Sequence, residues 1–305
     1  MKNLKLGYPV TTLDNELLLP AGSDDSVETI NGIISSSKIK SYKSLPLLEY
    51  GTVNKDLLRF LGQPPYHMIF SDKKKVKNIL KLMESVHLVL PVLETLDYFN
   101  EREFYTYRHI LMVFALSTLL ASDLMDDYQD LVLEAATGPT HDIGKICIPF
   151  SILTKSVPLT RAEMDIMIHH STAGYVLLSY YLRDPEGLTS RVARDHHERK
   201  NGIGYPRGNE LNDRMVEIVS VSDIYDALIS ARPYRPTAYD NRTACEELTT
   251  MAENNEVSWD IVKALVAHNR KSKPHFSECD ISIEKRGESP PGNVHGVLAD
   301  EEVKD

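Results

Sequence analysis

RHILMVFALSTLLA, residues 108–121, is the stretch on which the fold turns. His109, Met112, Val113, Leu116 and Leu120 recur at i, i+3, i+4 and i+7, the spacing of one helix face packed against a core. The apolar run is too short to cross a bilayer, so it predicts a core helix and no membrane span. The same helical texture continues almost unbroken from the lysine cluster Lys73–Lys75 to about His268, which makes the fold mainly α.

The chain ahead of this region reads differently. LKLGYPV and ELLLPAG are short apolar runs separated by Asp14 and Asn15, as in a hairpin, and a short capped helix is expected from Asp25 to about Ser35. KIKSYKSL and YHMIFS follow as further short runs. We therefore expect a small mixed α/β N-terminal domain over 1–85 and a helical domain over 86–275. A polar, acidic tail over 276–305, with Pro290 and Pro291, is expected to be poorly ordered.

Net charge −10 excludes duplex nucleic acid as the main partner, because phosphate binding needs a dense basic field. A compact anion can still be held by a local cluster of Arg, Lys and metal. Cys147, Cys245 and Cys279 form no CxxC pair and suggest neither a disulfide framework nor a thiolate zinc site. The first residues lack a secretory pattern, and a cytoplasmic location is expected.

Seven of the eleven histidines fall between His87 and His197, several beside carboxylates, and that clustering points to a metal site. HDIGK sets His141 beside Asp142, so an imidazole and a carboxylate can reach one centre while the second carboxylate oxygen bridges to another. His109 lies on the stripe above. His169 and His170 adjoin in a second amphipathic helix, where only one can readily point with the core face. His196, His197 and Glu198 end a further predicted helix before a glycine-rich loop, and Asp223 and Asp226 share a helix that leads to Arg232 and Arg235. Four or five imidazoles and two carboxylates from separate helices suit a dinuclear site rich in N and O donors.

HDIGK (141–145), IPFSILTKSVPLT (148–160), HHSTAG (169–174), HHERKNGIGYPRG (196–208) and SDIYDALISARPYR (222–235) resemble, in order and spacing, the HD-GYP family. The resemblance runs from about Tyr105 to Arg235 and implies a metal-dependent hydrolase of cyclic di-GMP, yielding linear pGpG or GMP. Carried over by position, it implies two divalent transition-metal ions, iron or alternatively manganese, held by His109, His141, Asp142, His170, His196, His197 and Asp223. His170 is preferred to His169 because the family histidine stands four residues before the glycine, here Gly174. By the same resemblance Asp142 bridges the metals, Lys145 contacts the scissile phosphate, Arg232 and Arg235 bind phosphate, and Tyr205 lines the substrate cleft.

Four positions depart from the family pattern. Asn201 replaces a usual Asp, Glu217 replaces a usual Arg, and Gly138, Pro139 and Thr140 precede His141 where small apolar helical residues are usual, so the helix there is expected to kink or break. Tyr105 stands where members with a third metal carry Glu, which points to two metals. Two alternatives to hydrolysis of cyclic di-GMP stay open: a sensor or scaffold that keeps the metal site, and a mononucleotide phosphohydrolase, against which the GYP and RPYR segments count. The N-terminal region has a faint likeness to the short leading module of some family members, and protein partners could dock there.

Overall fold

The computed structural model describes residues 4–231, 237–282, 284–290 and 298–299. Val10–Thr11 (β1) and Leu17–Leu19 (β2) form the expected antiparallel hairpin, with Asn15 taking the left-handed backbone (φ 63°) that the turn requires. Val27–Ser36 (α1) starts at Ser26, whose hydroxyl accepts from the Thr29 amide. Ser44–Pro46 (β3) pairs antiparallel with His87–Val89 (β4), and Val53–Leu61 (α2) lies between them in sequence. Helix α2 went unread in the sequence; it buries Val53, Leu57, Phe60 and Leu61.

From Lys73 the chain is helical, as the periodicity predicts: Lys73–Met83 (α3), Leu90–Arg102 (α4), Phe104–Leu124 (α5), Tyr128–Thr137 (α6), Phe150–Leu153 (α7), Arg161–Leu182 (α8), Leu188–Asp195 (α9), Arg214–Ile229 (α10), Asn241–Glu253 (α11) and Trp259–Asn269 (α12). Their starts follow side-chain chemistry. Asp72, Asp127, Asp213 and Asp240 each accept backbone amides of the first turn, and Thr160 with Glu163 forms a reciprocal capping box on α8.

Helix α5 is the axis of the molecule, packed against α2, α3, α4, α6, α10 and α12. Its burial exceeds the single stripe predicted: Ile110, Leu111, Phe114 and Ala115 on the other faces are buried too. At 21 residues α5 is long and apolar enough to span a membrane by length and composition, so run length was the wrong argument. Since 83% of its apolar stretch is buried by other parts of the chain, its hydrophobicity belongs to a helix surrounded by protein.

One continuous apolar core takes in Leu6, Val10, Ile30 and Leu57 together with α5, α8, α10 and α12. The described part of the tail also packs. Cys279 is buried, and Glu246 of α11 accepts the Arg286 and Gly287 amides at 2.9 and 2.6 Å, so its polar composition hid a fixed path.

Candidate metal centre

Small residues let three backbones close on one point. A Cβ on Gly144 would lie 2.0 Å from the His170 carbonyl oxygen and 2.3 Å from the Gly174 nitrogen, so the 3-10 turn Ile143–Cys147 rests directly on α8. Gly174 in turn faces the methyl group of Ala193 on α9. Asp142, His170 and His196, from three segments, thereby share one space. Helix α6 stops at Thr137 and a tight turn, Gly138–Thr140, delivers His141 to the same space, in line with the break expected there.

The donors form adjoining groups. His170, His196 and His197 make one; His109, His141 and Asp223 make another; His141, Asp142 and His196 lie between, with ligand atoms in each group within 4.8 Å of one another. Asp142 faces both sides: Oδ1 is 3.4 Å from His170 Nε2, while Oδ2 is 3.4 Å from His109 Nε2 and 3.5 Å from His141 Nε2. Asp223 Oδ1 lies 3.1 Å from His109 Nε2. All seven residues named from the sequence converge. His169 does not: its Nε2 lies 3.4 Å from the Pro9 carbonyl oxygen and its ring meets Tyr8 edge-on.

The imidazoles are fixed from behind. His141 Nδ1 donates to the Gly138 carbonyl (2.7 Å), His170 Nδ1 to Met167 (2.7 Å) and His196 Nδ1 to Ala193 (3.0 Å), while His109 Nδ1 donates to Asp226 Oδ2 (2.6 Å). Those oxygens only accept, so each Nδ1 carries the hydrogen, and the neutral rings of His141, His170 and His196 present an Nε2 lone pair inward, while His109 Nε2 faces the Asp223 carboxylate. The Nε2 atoms of His170 and His196 are 3.4 Å apart, and those of His170 and His197 3.1 Å. Lone pairs converging so closely, beside two buried carboxylates, fit a shared cation with N/O preference.

Electrostatics agree. Burial pushes His170 and His196 down to about 4 and also depresses His141 and His197, keeping these rings neutral. Burial acts to raise the Asp142 and Asp223 carboxyls, but Lys145 and the imidazoles around Asp142, and the His109 hydrogen bond with the imidazoles around Asp223, hold both well below the usual range. Burial also acts to lower His109, yet the hydrogen bonds of Asp223 and Asp226 outweigh it and leave that ring raised.

Lys145 Nζ reaches the centre, 2.5 Å from Asp142 Oδ2. Tyr205 stacks on His197, ring centroids 4.5 Å apart at 27°, and so walls the His170 side. Its loop is held by backbone contact: a Cβ on Gly204 would lie 2.3 Å from the His197 carbonyl oxygen, and the buried Glu198 carboxylate accepts the Arg207 and Asn209 amides at 2.7 and 3.1 Å. Glu198 is thus a loop clamp. Arg232 and Arg235 lie outside the described residues.

Asn201, Glu217 and Tyr105, three of the four departures from the family pattern, sit aside from the donors, whereas the Gly138 carbonyl accepts from His141 Nδ1. Asn201 closes a turn, accepting from the Ile203 amide and donating to the Asn254 carbonyl, and Glu217 pairs with Lys200 at 3.2 Å and accepts from Ser258. Tyr105 is half exposed on the first turn of α5. Two contributors were missed. In the sequence Asp226 is marked only by sharing a helix with Asp223, one turn away, and Tyr66, which donates to it, lies in a short run with no periodic signal.

Residues 97–258 match a family described as an HD domain. The chain is 37% identical over 204 residues to a protein of Thermotoga maritima named cyclic di-GMP phosphodiesterase, covering 60% of this chain and 55% of that one. It is 40% identical over 119 residues to the cyclic di-GMP phosphodiesterase response regulator RpfG of Xanthomonas campestris pv. campestris, covering 38% and 32%. It is 35% identical over 134 residues to the 3'3'-cGAMP-specific phosphodiesterase 3 of Vibrio cholerae, covering 43% and 28%. The chain thus spans about half, or less, of the length of these curated relatives.

Proposed function

The chain belongs to the HD-GYP family of HD domains, and on that premise we propose that it is a metal-dependent phosphodiesterase hydrolysing cyclic di-GMP to pGpG, GMP or both. The observation that carries this reading is Asp142, whose two oxygens face two separate sets of imidazole lone pairs. That arrangement suits two metal ions, iron or alternatively manganese, one with His170, His196 and His197, the other with His109, His141 and Asp223, and Asp142 between them.

When bound, the two ions supply charge neutralisation at the phosphoryl group and a nucleophile from water at neutral pH. The chain's residues do the rest. The Nδ1 tethers hold four imidazoles at fixed orientation, Lys145 has an ammonium at the centre for the scissile phosphate, and Tyr205 lines the cleft beside His197. Arg232 and Arg235 are proposed to bind the phosphates, the guanidinium fork suiting that task. A cytoplasmic location and a docking role for residues 1–85 complete the proposal.

The test is chromatography of products after incubating protein loaded anaerobically with iron, and separately with manganese, with cyclic di-GMP. We expect pGpG or GMP from the loaded protein and none from Asp142→Ala, which should lose both ions. Tight binding without product in both preparations would replace the enzyme by a sensor, and turnover confined to 3'3'-cGAMP would reassign the substrate.

A further inference from the structure

We propose that Tyr66, from the region ahead of the HD match, is a positioning residue that sets how tightly the His109–His141–Asp223 group holds its metal, acting through Asp226. The proposal rests on the two-metal reading above. Tyr66 is fully buried and its hydroxyl donates to Asp226 Oδ1, while Asp226 Oδ2 accepts from His109 Nδ1 at 2.6 Å. A phenol, a carboxylate and a ligand imidazole therefore form one chain, and its first link lies 160 residues from its second.

A carboxylate behind an imidazole fixes the ring and strengthens it as a ligand. What fixes the carboxylate matters equally. Asp226 is buried, and Tyr66 hydroxyl sits also 2.9 Å from Ser230 Oγ, which donates to Asp226 Oδ2 at 3.3 Å and accepts from Arg108 Nη1 at 3.1 Å. Arg108 in turn lies over the Tyr66 ring, 5.2 Å from its centroid. Without the phenol, Oδ1 loses a donor in a place closed to water, and the carboxylate is freed to turn away from His109.

The two metal groups differ in this respect. His170 and His196 lean on backbone carbonyls of their own helices, whereas His109 leans on a side chain that the N-terminal region secures. Tyr66 should thus affect one metal and spare the other.

The experiment uses the full chain stripped of metal and titrated with cobalt(II), followed by absorbance, after circular dichroism shows that each variant is folded. Wild type should give two sites. Y66F should keep both, one weakened about tenfold, within the range of about 10–100-fold usual for partners of ligand residues. D226N should weaken the same site, and Y66F/D226N should be no weaker than D226N alone, since Tyr66 acts through Asp226. An unchanged Y66F isotherm, equal weakening of both sites, or additive losses in the double variant each refute the proposal. Should Y66F fail to fold, 3-fluorotyrosine at position 66 keeps ring and hydroxyl while strengthening the donor; it should shift the cobalt band of one site, and an unshifted band refutes the proposal. Wild type that takes up no second cobalt ion refutes the dinuclear reading and the proposal together, whereas a two-site wild type with an unaffected Y66F refutes the proposal alone.

Discussion

Gly144→Ala adds one methyl group where two backbones touch. The new Cβ would stand 2.0 Å from the His170 carbonyl oxygen, and ordinary contact begins at 3.4 Å, so the HDIGK turn and α8 must part by about 1.4 Å. No flexible side chain can yield in their place, because the atoms met are His170 O, Gly174 N and Gly174 Cα. Overpacking of this kind costs about 1–3 kcal/mol, and a clash with backbone belongs at or above the upper end. About 3 kcal/mol corresponds to a drop of roughly 5 °C in Tm for a chain of this size. The separation also carries Asp142 Oδ1 away from His170 Nε2, now 3.4 Å apart, and a misplacement of about 1 Å costs about 100-fold in rate. Thermal unfolding, metal analysis and product chromatography on one preparation read all three effects. A variant with wild-type Tm, two bound metals and unimpaired turnover would refute the claim that this backbone contact sets the bridge.

Lys145→Ala should lower turnover about 100-fold, as loss of one charged phosphate contact does, while metal content measured on the same sample stays at the wild-type level. Metal loss would instead show that Lys145 serves by holding Asp142, which it touches at 2.5 Å. Asp25→Ala strands the Arg207 guanidinium, whose pair with Asp25 is 3% and 0% exposed, and should cost about 3–5 kcal/mol in urea unfolding. A loss under about 1 kcal/mol would mean that Arg207 finds water or another partner. Glu134 is buried, neither oxygen has a hydrogen-bond partner among the described residues, and burial raises its carboxyl well above 4.5. Because the folded state then holds a proton that the unfolded state releases, stability should fall as pH rises above 4.5, by about 1.4 kcal/mol per pH unit until the folded carboxyl ionises. Glu134→Gln should remove that component of the slope in urea midpoints measured between pH 5 and 7, and an unchanged slope would show that Glu134 is already ionised in the fold.

The candidate donors stood out in the sequence because metal chemistry constrains residue type, which gathers histidines beside carboxylates. The stripe placed His109 on a core face and adjacency paired His141 with Asp142, but the full candidate ligand set came from the family resemblance, in which the choice of His170 over His169 rested on distance from Gly174. The structure gives the reason: Gly174 is where α8 meets the HDIGK turn, and His170 is the neighbour whose Nε2 reaches Asp142. Contacts between distant segments left no such trace. Tyr66 with Asp226 and Asp25 with Arg207 join parts of the chain 160 and 182 residues apart, and no period or local motif marks either partner. Helix α2 hid for another reason, since its nine residues are too few for the apolar repeat to stand out from the short runs around it.

The loop around Tyr205 has the composition of a mobile segment, with Gly202, Gly204, Pro206 and Gly208 in succession. Its amides at Arg207 and Asn209 nevertheless end on one buried carboxylate, and the Arg207 side chain ends on another. In hydrogen-exchange terms these amides should be protected like those of the core helices, opening only when Glu198 lets go, not on the fast timescale of a glycine-rich turn. A wall anchored in this way cannot act as the door, so any motion that opened the centre to a ligand would lie in another segment.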